Sequence, residues 1–160
     1  MAQDGVSRGL SKYDRTSFMI RSRLFKGLCT GKMSMRSLFD DERHKMLSGA
    51  RCAYCGSTEN LSVDHLLPRA AGGSDNADNL ICCCRRCNSS KGDKDMLQWF
   101  SERNQFPPLL ILRRYLKLVF QFCLEAGVLD ADLDVVDSLS SPYSLNLIPT
   151  DYPAPDEVSL

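Results

Sequence analysis

The sequence predicts a small α+β fold: two short strands and a helix held in a frame of paired cysteines, with further helices flanking this core on its N- and C-terminal sides. Three observations lead there. Two Cys-x2-Cys pairs, Cys52/Cys55 and Cys84/Cys87, bracket the middle of the chain with 28 residues between Cys55 and Cys84. Two apolar runs, NLSVDHLL and NLICC, have strand character and are separated by Pro68 and the Gly72-Gly73 pair. After them NSSKGDKDMLQWFSER reads as a short helix, with Trp99 and Phe100 available to pack.

The cysteine pairs come first because they set the frame. A two-residue spacer lets both sulfurs face one tetrahedral ion, and four thiolates are the preferred set of a closed structural zinc site. A core this small buries little surface, and zinc binding compensates by on the order of 10–16 kcal/mol in finger peptides. Cys82, Cys83 and Cys84 are consecutive, and only Cys84 has the two-residue spacer to Cys87. Cys52, Cys55, Cys84 and Cys87 are therefore the expected zinc ligands. Strand alternation sends Cys82 and Cys83 to opposite faces, and Cys29 and Cys123 are expected as small buried thiols without metal.

The flanks follow from composition and periodicity. The chain has 160 residues, 43% of them hydrophobic and 25% charged, which suits one modest domain with appendages. Residues 1–50 form a basic, partly helical extension, with ten Lys/Arg against five Asp/Glu. Its second half, SMRSLFDDERHKMLSGA, spaces Met35, Leu38, Phe39, Met46 and Leu47 roughly as a helix does, with His44 on its charged side. Residues 51–105 form the core. Over 106–128, Pro107-Pro108 opens an amphipathic helix whose Leu109, Leu112, Leu116, Val119, Phe120 and Cys123 form one stripe, and Gly127 closes it. That stripe suits core packing, or a protein partner or self-association through helix 108–126. Residues 129–160 form an acidic, Pro-containing tail, expected to be extended.

Charge is balanced overall, with 20 Lys/Arg against 20 Asp/Glu, yet the front is basic and the back acidic. Such asymmetry can aim one face at a polyanion, although solvated helix surfaces and an acidic tail produce it too. No segment approaches the ~20 apolar residues of a bilayer span, and the N-terminus lacks the apolar run of a secretory signal. A cytoplasmic location is the resulting expectation.

Inside the frame stand Asp64-His65, then Asn79, then Asn88. Phosphodiester hydrolysis needs a nucleophile made from water, relief of charge on the phosphate, and a stabilised leaving oxygen. An imidazole, with an ordinary pKa of ~6.5, can take the water's proton, a role worth about 10²–10⁴-fold. A hard cation on oxygen ligands can stabilise the departing oxyanion. His65 is the sole histidine of the frame and so the base candidate, Asp64 supplies a carboxylate, and Asn88 an amide oxygen. Neighbours on a strand face opposite sides, so Asp64 and His65 can share a site only where the strand ends or bends. Taken singly, Asn79 and Asn88 suit turn and cap positions as well. Arg69, Arg85, Arg86, Lys91 and Lys94 are candidate phosphate contacts, with a solvated rim as the alternative.

The joint pattern CxxCG, VDH, P-R-x-x-GG, DNL, CxxCN and KG, over about residues 50–95, closely resembles the HNH endonuclease family. The resemblance implies a ββα-metal (His-Me finger) core in a zinc-knuckle frame, and a metal-dependent endonuclease or nickase hydrolysing DNA phosphodiester bonds. Matched residue by residue, it implies His65 as general base. Asp64 and Asn88 become ligands of a catalytic divalent ion, Mg2+ or another, and Asn79 a hydrogen-bonding residue across the loop that holds the base in orientation. Many members carry histidine where this chain has Asn88; an amide oxygen favours a harder ion. The implied partner is double-stranded DNA and the implied products are a 3′-hydroxyl and a 5′-phosphate. The rival readings are a zinc-knuckle module that binds nucleic acid without cutting it, and a nuclease subunit active only in a larger complex.

Overall fold

The computed structural model describes residues 26–27, 29–30, 51–132, 140–154 and 156–159. The helix expected within residues 34–50, and His44 with it, lie outside them.

Strand β1 (Leu61–His65) and strand β2 (Leu80–Cys84) pair antiparallel, with Leu61 opposite Cys84, Asp64 opposite Ile81 and His65 opposite Leu80. Alternation sorts their side chains as the pleat requires. On β1 Asp64 is buried while its neighbour Val63 is exposed. On β2 Ile81 and Cys83 are buried and Cys82 is half-buried between them. β1 ends at His65. Leu66 and Leu67 turn into the core, Pro68 starts a single 3-10 turn (Arg69–Ala71), and Gly72 closes it at φ 90°. Gly73 passes so near the strand end that a Cβ there would lie 1.8 Å from the Leu67 carbonyl oxygen, so only glycine fits.

Helix α1 (Arg85–Lys91) follows β2 without a loop; Cys84 caps it, its Sγ accepting from the Cys87 amide. The single helix expected over 88–103 is in fact two. Gly92, at φ 55° and ψ −134°, ends α1, and Asp95 starts helix α2 (Met96–Ser101) by accepting from the amides of Leu97 and Gln98. Those two residues carry the break: a left-handed glycine, then an N-cap carboxylate that binds the next free amides in place of helix continuation. Helix α3 (Leu109–Ala126) begins after Pro108 and ends at left-handed Gly127.

Ile111, Leu112, Tyr115 and Val119 of α3 pack with Leu66, Ile81, Cys83, Met96, Trp99 and Phe100 in one core. The apolar stripe is thus largely covered by this chain itself, with Leu124 exposed near the far end of α3. The described part of the acidic tail holds one 3-10 turn (Leu145–Leu147) and is packed: Leu145 and Val158 are buried, and the Ser159 carbonyl accepts from the Leu109 amide at 2.9 Å. Arg114 of α3 reaches across to the carbonyls of Ala77, Asp78 and Leu80, so the long helix grips the loop leading into β2. The expectation of two buried thiols outside the frame is corrected: Cys29 is exposed and Cys123 only half-buried. Among the described residues no helix is long and apolar enough to cross a membrane.

Candidate active site and metal-binding cysteines

The two knuckles meet at the Leu61/Cys84 end of the sheet. The Sγ atoms of Cys52, Cys55, Cys84 and Cys87 all lie within 4.8 Å of one another. A tetrahedral ion with metal–sulfur bonds of ~2.3 Å separates its sulfurs by about 3.8 Å, and Cys55 Sγ lies 3.8 Å from Cys84 Sγ. The four cysteines therefore fit one metal ion. Cys84, not Cys83, belongs to the set. Cys84 Sγ lies among the other three sulfurs and accepts from the Cys87 backbone amide, whereas Cys83 Sγ lies 3.6 Å from Ser62 Oγ.

At the other end of β1, Asp64 faces inward and both oxygens of its carboxylate have partners. Tyr54, from the spacer of the first knuckle, donates its hydroxyl to Oδ2 at 2.8 Å, and the His65 amide donates to Oδ1 at 2.7 Å. Burial, then the Asp64 charge, holds the Tyr54 hydroxyl well above its ordinary range, so it stays a donor. Its ring packs against Trp99 and Phe100 at centroid distances of 5.0 and 5.8 Å.

Lys91 completes this arrangement. Its ammonium donates to the His65 carbonyl at 2.8 Å and lies 3.3 Å from Asp64 Oδ2. Expected as a surface phosphate contact, Lys91 is instead only 1% exposed. The physical reason is Asp64: a buried carboxylate needs a counter-charge, and the inward face of α1 supplies it. Cys87 and Lys91, one helical turn apart and both buried, mark that face. Arg85 and Arg86 are exposed at the start of α1.

Asn88 lies on α1 against the same strand. Its Nδ2 donates to the Val63 carbonyl at 3.1 Å and to Ser62 Oγ at 3.2 Å. Because a carbonyl can only accept, the amide nitrogen must point at β1, which turns Oδ1 the other way. Ser62 and Asp64 share one face of the strand, so the Asn88 amide and the Asp64 carboxylate are on the same side of β1. A carboxylate and an amide oxygen are the donors a hard divalent ion takes.

The His65 ring leaves the opposite face, and the loop shapes its surroundings. Asn79, 1% exposed, accepts from the Leu67 amide at 2.8 Å and donates to the carbonyls of Leu67 at 3.0 Å and Ser74 at 2.9 Å. It staples the strand end to the returning loop. That loop delivers Asp75, whose Oδ1 lies 2.7 Å from His65 Nε2. Arg69 holds the same carboxylate in a fork, Nε at 3.0 Å from Oδ1 and a terminal nitrogen at 2.6 Å from Oδ2. Arg69 is thus spoken for within the chain. Sequence reasoning did not pick out Asp75, Tyr54 or the buried role of Lys91. Only the need of a buried tyrosine hydroxyl for a partner, and the spacing of Lys91 from Cys87, hinted at the last two.

Comparison with known proteins covers this same region. Residues 52–98 match the model of the HNH endonuclease family. Two CRISPR-associated endonucleases Cas9 are similar: that of Corynebacterium diphtheriae is 47% identical over 53 residues, and that of Actinomyces naeslundii 40% identical over 57 residues. These alignments take in 31% and 33% of this chain but only 5% of either relative. Among solved structures, the crystal structure of the Type II-C Cas9 enzyme from Actinomyces naeslundii aligns with 68% of this chain and 12% of its own at 20% identity, with a TM-score of 0.36. The likeness to the HNH endonuclease family thus covers residues 52–98 of this chain.

Proposed function

We propose that the protein is a divalent-metal-dependent endonuclease that hydrolyses DNA phosphodiester bonds, with zinc in the cysteine frame. The observation that supports this most is that, within the family-matched segment, Asp64 and His65 stand at the end of β1 and Asn88 is bonded to the same strand. His65 acts as general base and takes a proton from a water molecule. The water oxygen bonds to phosphorus, the bond from phosphorus to the 3′ oxygen breaks, and that oxygen leaves protonated. The products are a 3′-hydroxyl and a 5′-phosphate. Asp64 and Asn88 are the residues that would hold a divalent ion, magnesium first, and such an ion supplies charge relief on the phosphate and the leaving oxygen. Asn79 fixes the loop from which the base is held. Arg85 and Arg86, exposed at the start of α1, lie where they can meet the DNA backbone.

A second reading has one observation in its favour. The similar Cas9 proteins carry the matched stretch as 5% of their own length, so a nuclease that works only with further protein or chain around it is the alternative.

The test is incubation of the full chain with supercoiled plasmid, with and without magnesium, beside His65→Ala. The expected result is magnesium-dependent nicking or linearisation by the wild type, slowed by about 10²–10⁴-fold in His65→Ala. Cleavage by the variant at the wild-type rate overturns the assignment of His65. An inert wild type with intact zinc content favours the second reading.

A further inference from the structure

The loop between the strands carries a group that the proposed chemistry has not yet used. Asp75 is 60% exposed and makes no contribution to the core, yet it receives both the His65 ring and the Arg69 guanidinium. A fork of this kind fixes a carboxylate in position as well as in charge. The loop itself is pinned: Asn79 holds the carbonyl of Ser74, the residue before Asp75, and Gly73 passes against Leu67 where no side chain fits. Asp75 is therefore a placed group.

We propose that Asp75 is a positioning residue for the general base: its carboxylate, clamped by Arg69, fixes the His65 ring in the tautomer that leaves the Nδ1 lone pair for the attacking water. The donor assignment follows from chemistry. The Arg69 hydrogen bonds, and after them the His65 contact, hold the Asp75 carboxyl below the ordinary carboxylate range, so it is ionised at neutral pH and can only accept. Nε2 must then carry the hydrogen across the 2.7 Å contact, and the basic lone pair of the neutral ring falls on Nδ1. Without Asp75 the neutral ring divides between two tautomers and turns more freely, and part of the population presents an N–H where a base is needed. This assigns Arg69 to the support of the base, not to DNA.

The catalytic consequence rests on the nuclease reading; the tautomer does not, and one experiment separates them. Long-range proton–nitrogen NMR on the zinc-loaded full chain, well above the ordinary imidazole titration range, reads the two ring nitrogens directly. The chain has two histidines, so a His44→Gln background leaves only the His65 signal. The wild type is expected to show hydrogen on Nε2. Asp75→Ala is expected to give a mixture, and Asp75→Asn, which keeps an acceptor oxygen, to restore the Nε2–H form. In plasmid cleavage, Asp75→Ala is expected to lower kcat by roughly 10–100-fold, the usual loss when a histidine's orienting partner is removed, with KM unchanged and Asp75→Asn between the two. Hydrogen on Nδ1 in the wild type, or an Asp75→Ala variant with wild-type tautomer and kcat, overturns the proposal. A wild type that never cleaves, whose tautomer is nevertheless released by Asp75→Ala, upholds the Asp75 contact and overturns only the reading that this chain cleaves by itself.

Discussion

The two ends of β1 are held in opposite ways. At the Leu61/Cys84 end, four thiols gather within 4.8 Å, close enough to share one ion. At the His65/Leu80 end, roughly 14 Å away at ~3.4 Å per residue, no single contact dominates. Tyr54 and Lys91 hold Asp64, Asn79 ties Leu67 to Ser74, and Arg69 holds Asp75. An ion shared by four thiols would make the first end all-or-none, because every sulfur would then answer to the same centre. The second is distributed, so each contact can be lost separately. The paired ladder makes the metal end a fixed reference for the chemical end, and a site whose parts must sit within an ångström gains from such a rigid support.

The largest expected effect tests the all-or-none end. Stripping zinc, or replacing Cys84 by serine, should unfold residues 51–105, since ion binding supplies on the order of 10–16 kcal/mol in comparable small domains. Circular dichroism with metal analysis checks this; a folded, metal-free protein would erase the contrast between the ends. Next comes Lys91→Met at the distributed end. It leaves the Asp64 carboxylate buried without its ammonium, and breaking a buried pair in this way costs about 3–5 kcal/mol. Urea denaturation should show that loss with zinc content intact, and addition of Asp64→Asn should recover part of it. The smallest effect sharpens the boundary between ligand and neighbour. Cys83→Ser puts a hydroxyl at a fully buried position beside Ser62, at a cost of about 1–3 kcal/mol. Zinc stoichiometry should not change; loss of the ion would move Cys83 into the ligand set.

The same contrast explains what could be read in advance. Spacing alone picked out Cys84 over Cys83, because a ligand pair obeys a local rule that three consecutive cysteines cannot blur. Both strands, and the start and stop of α3 at Pro108 and Gly127, follow from equally local chemistry. Asp64, His65, Asn79 and Asn88 were legible as positions; the structure puts the first two at the end of β1, bonds Asn88 of α1 to that strand and bonds Asn79 to Leu67 just beyond it. Lys91 was misplaced on the surface because its burial is decided by a carboxylate 27 residues earlier in the chain. Asp75 sits in a polar, non-periodic stretch where every residue looks like solvated loop, and its partner His65 is ten residues away. The packing of the tail was missed for a similar reason: Leu145 stands in a run too short, at Tyr143 to Ile148, and Val158 too isolated among polar neighbours, to announce a buried face.

One contact bears on moving this module to another context. Arg114 ties off two backbone oxygens in the loop before β2 and one at the first residue of that strand, yet it stands sixteen residues beyond the last family-matched position. A fragment trimmed to the family-matched stretch would keep every proposed chemical group and lose the brace that steadies the hairpin carrying two of them. The transferable unit is thus defined by mechanics, not homology, and any chimera built from this chain should include its long helix.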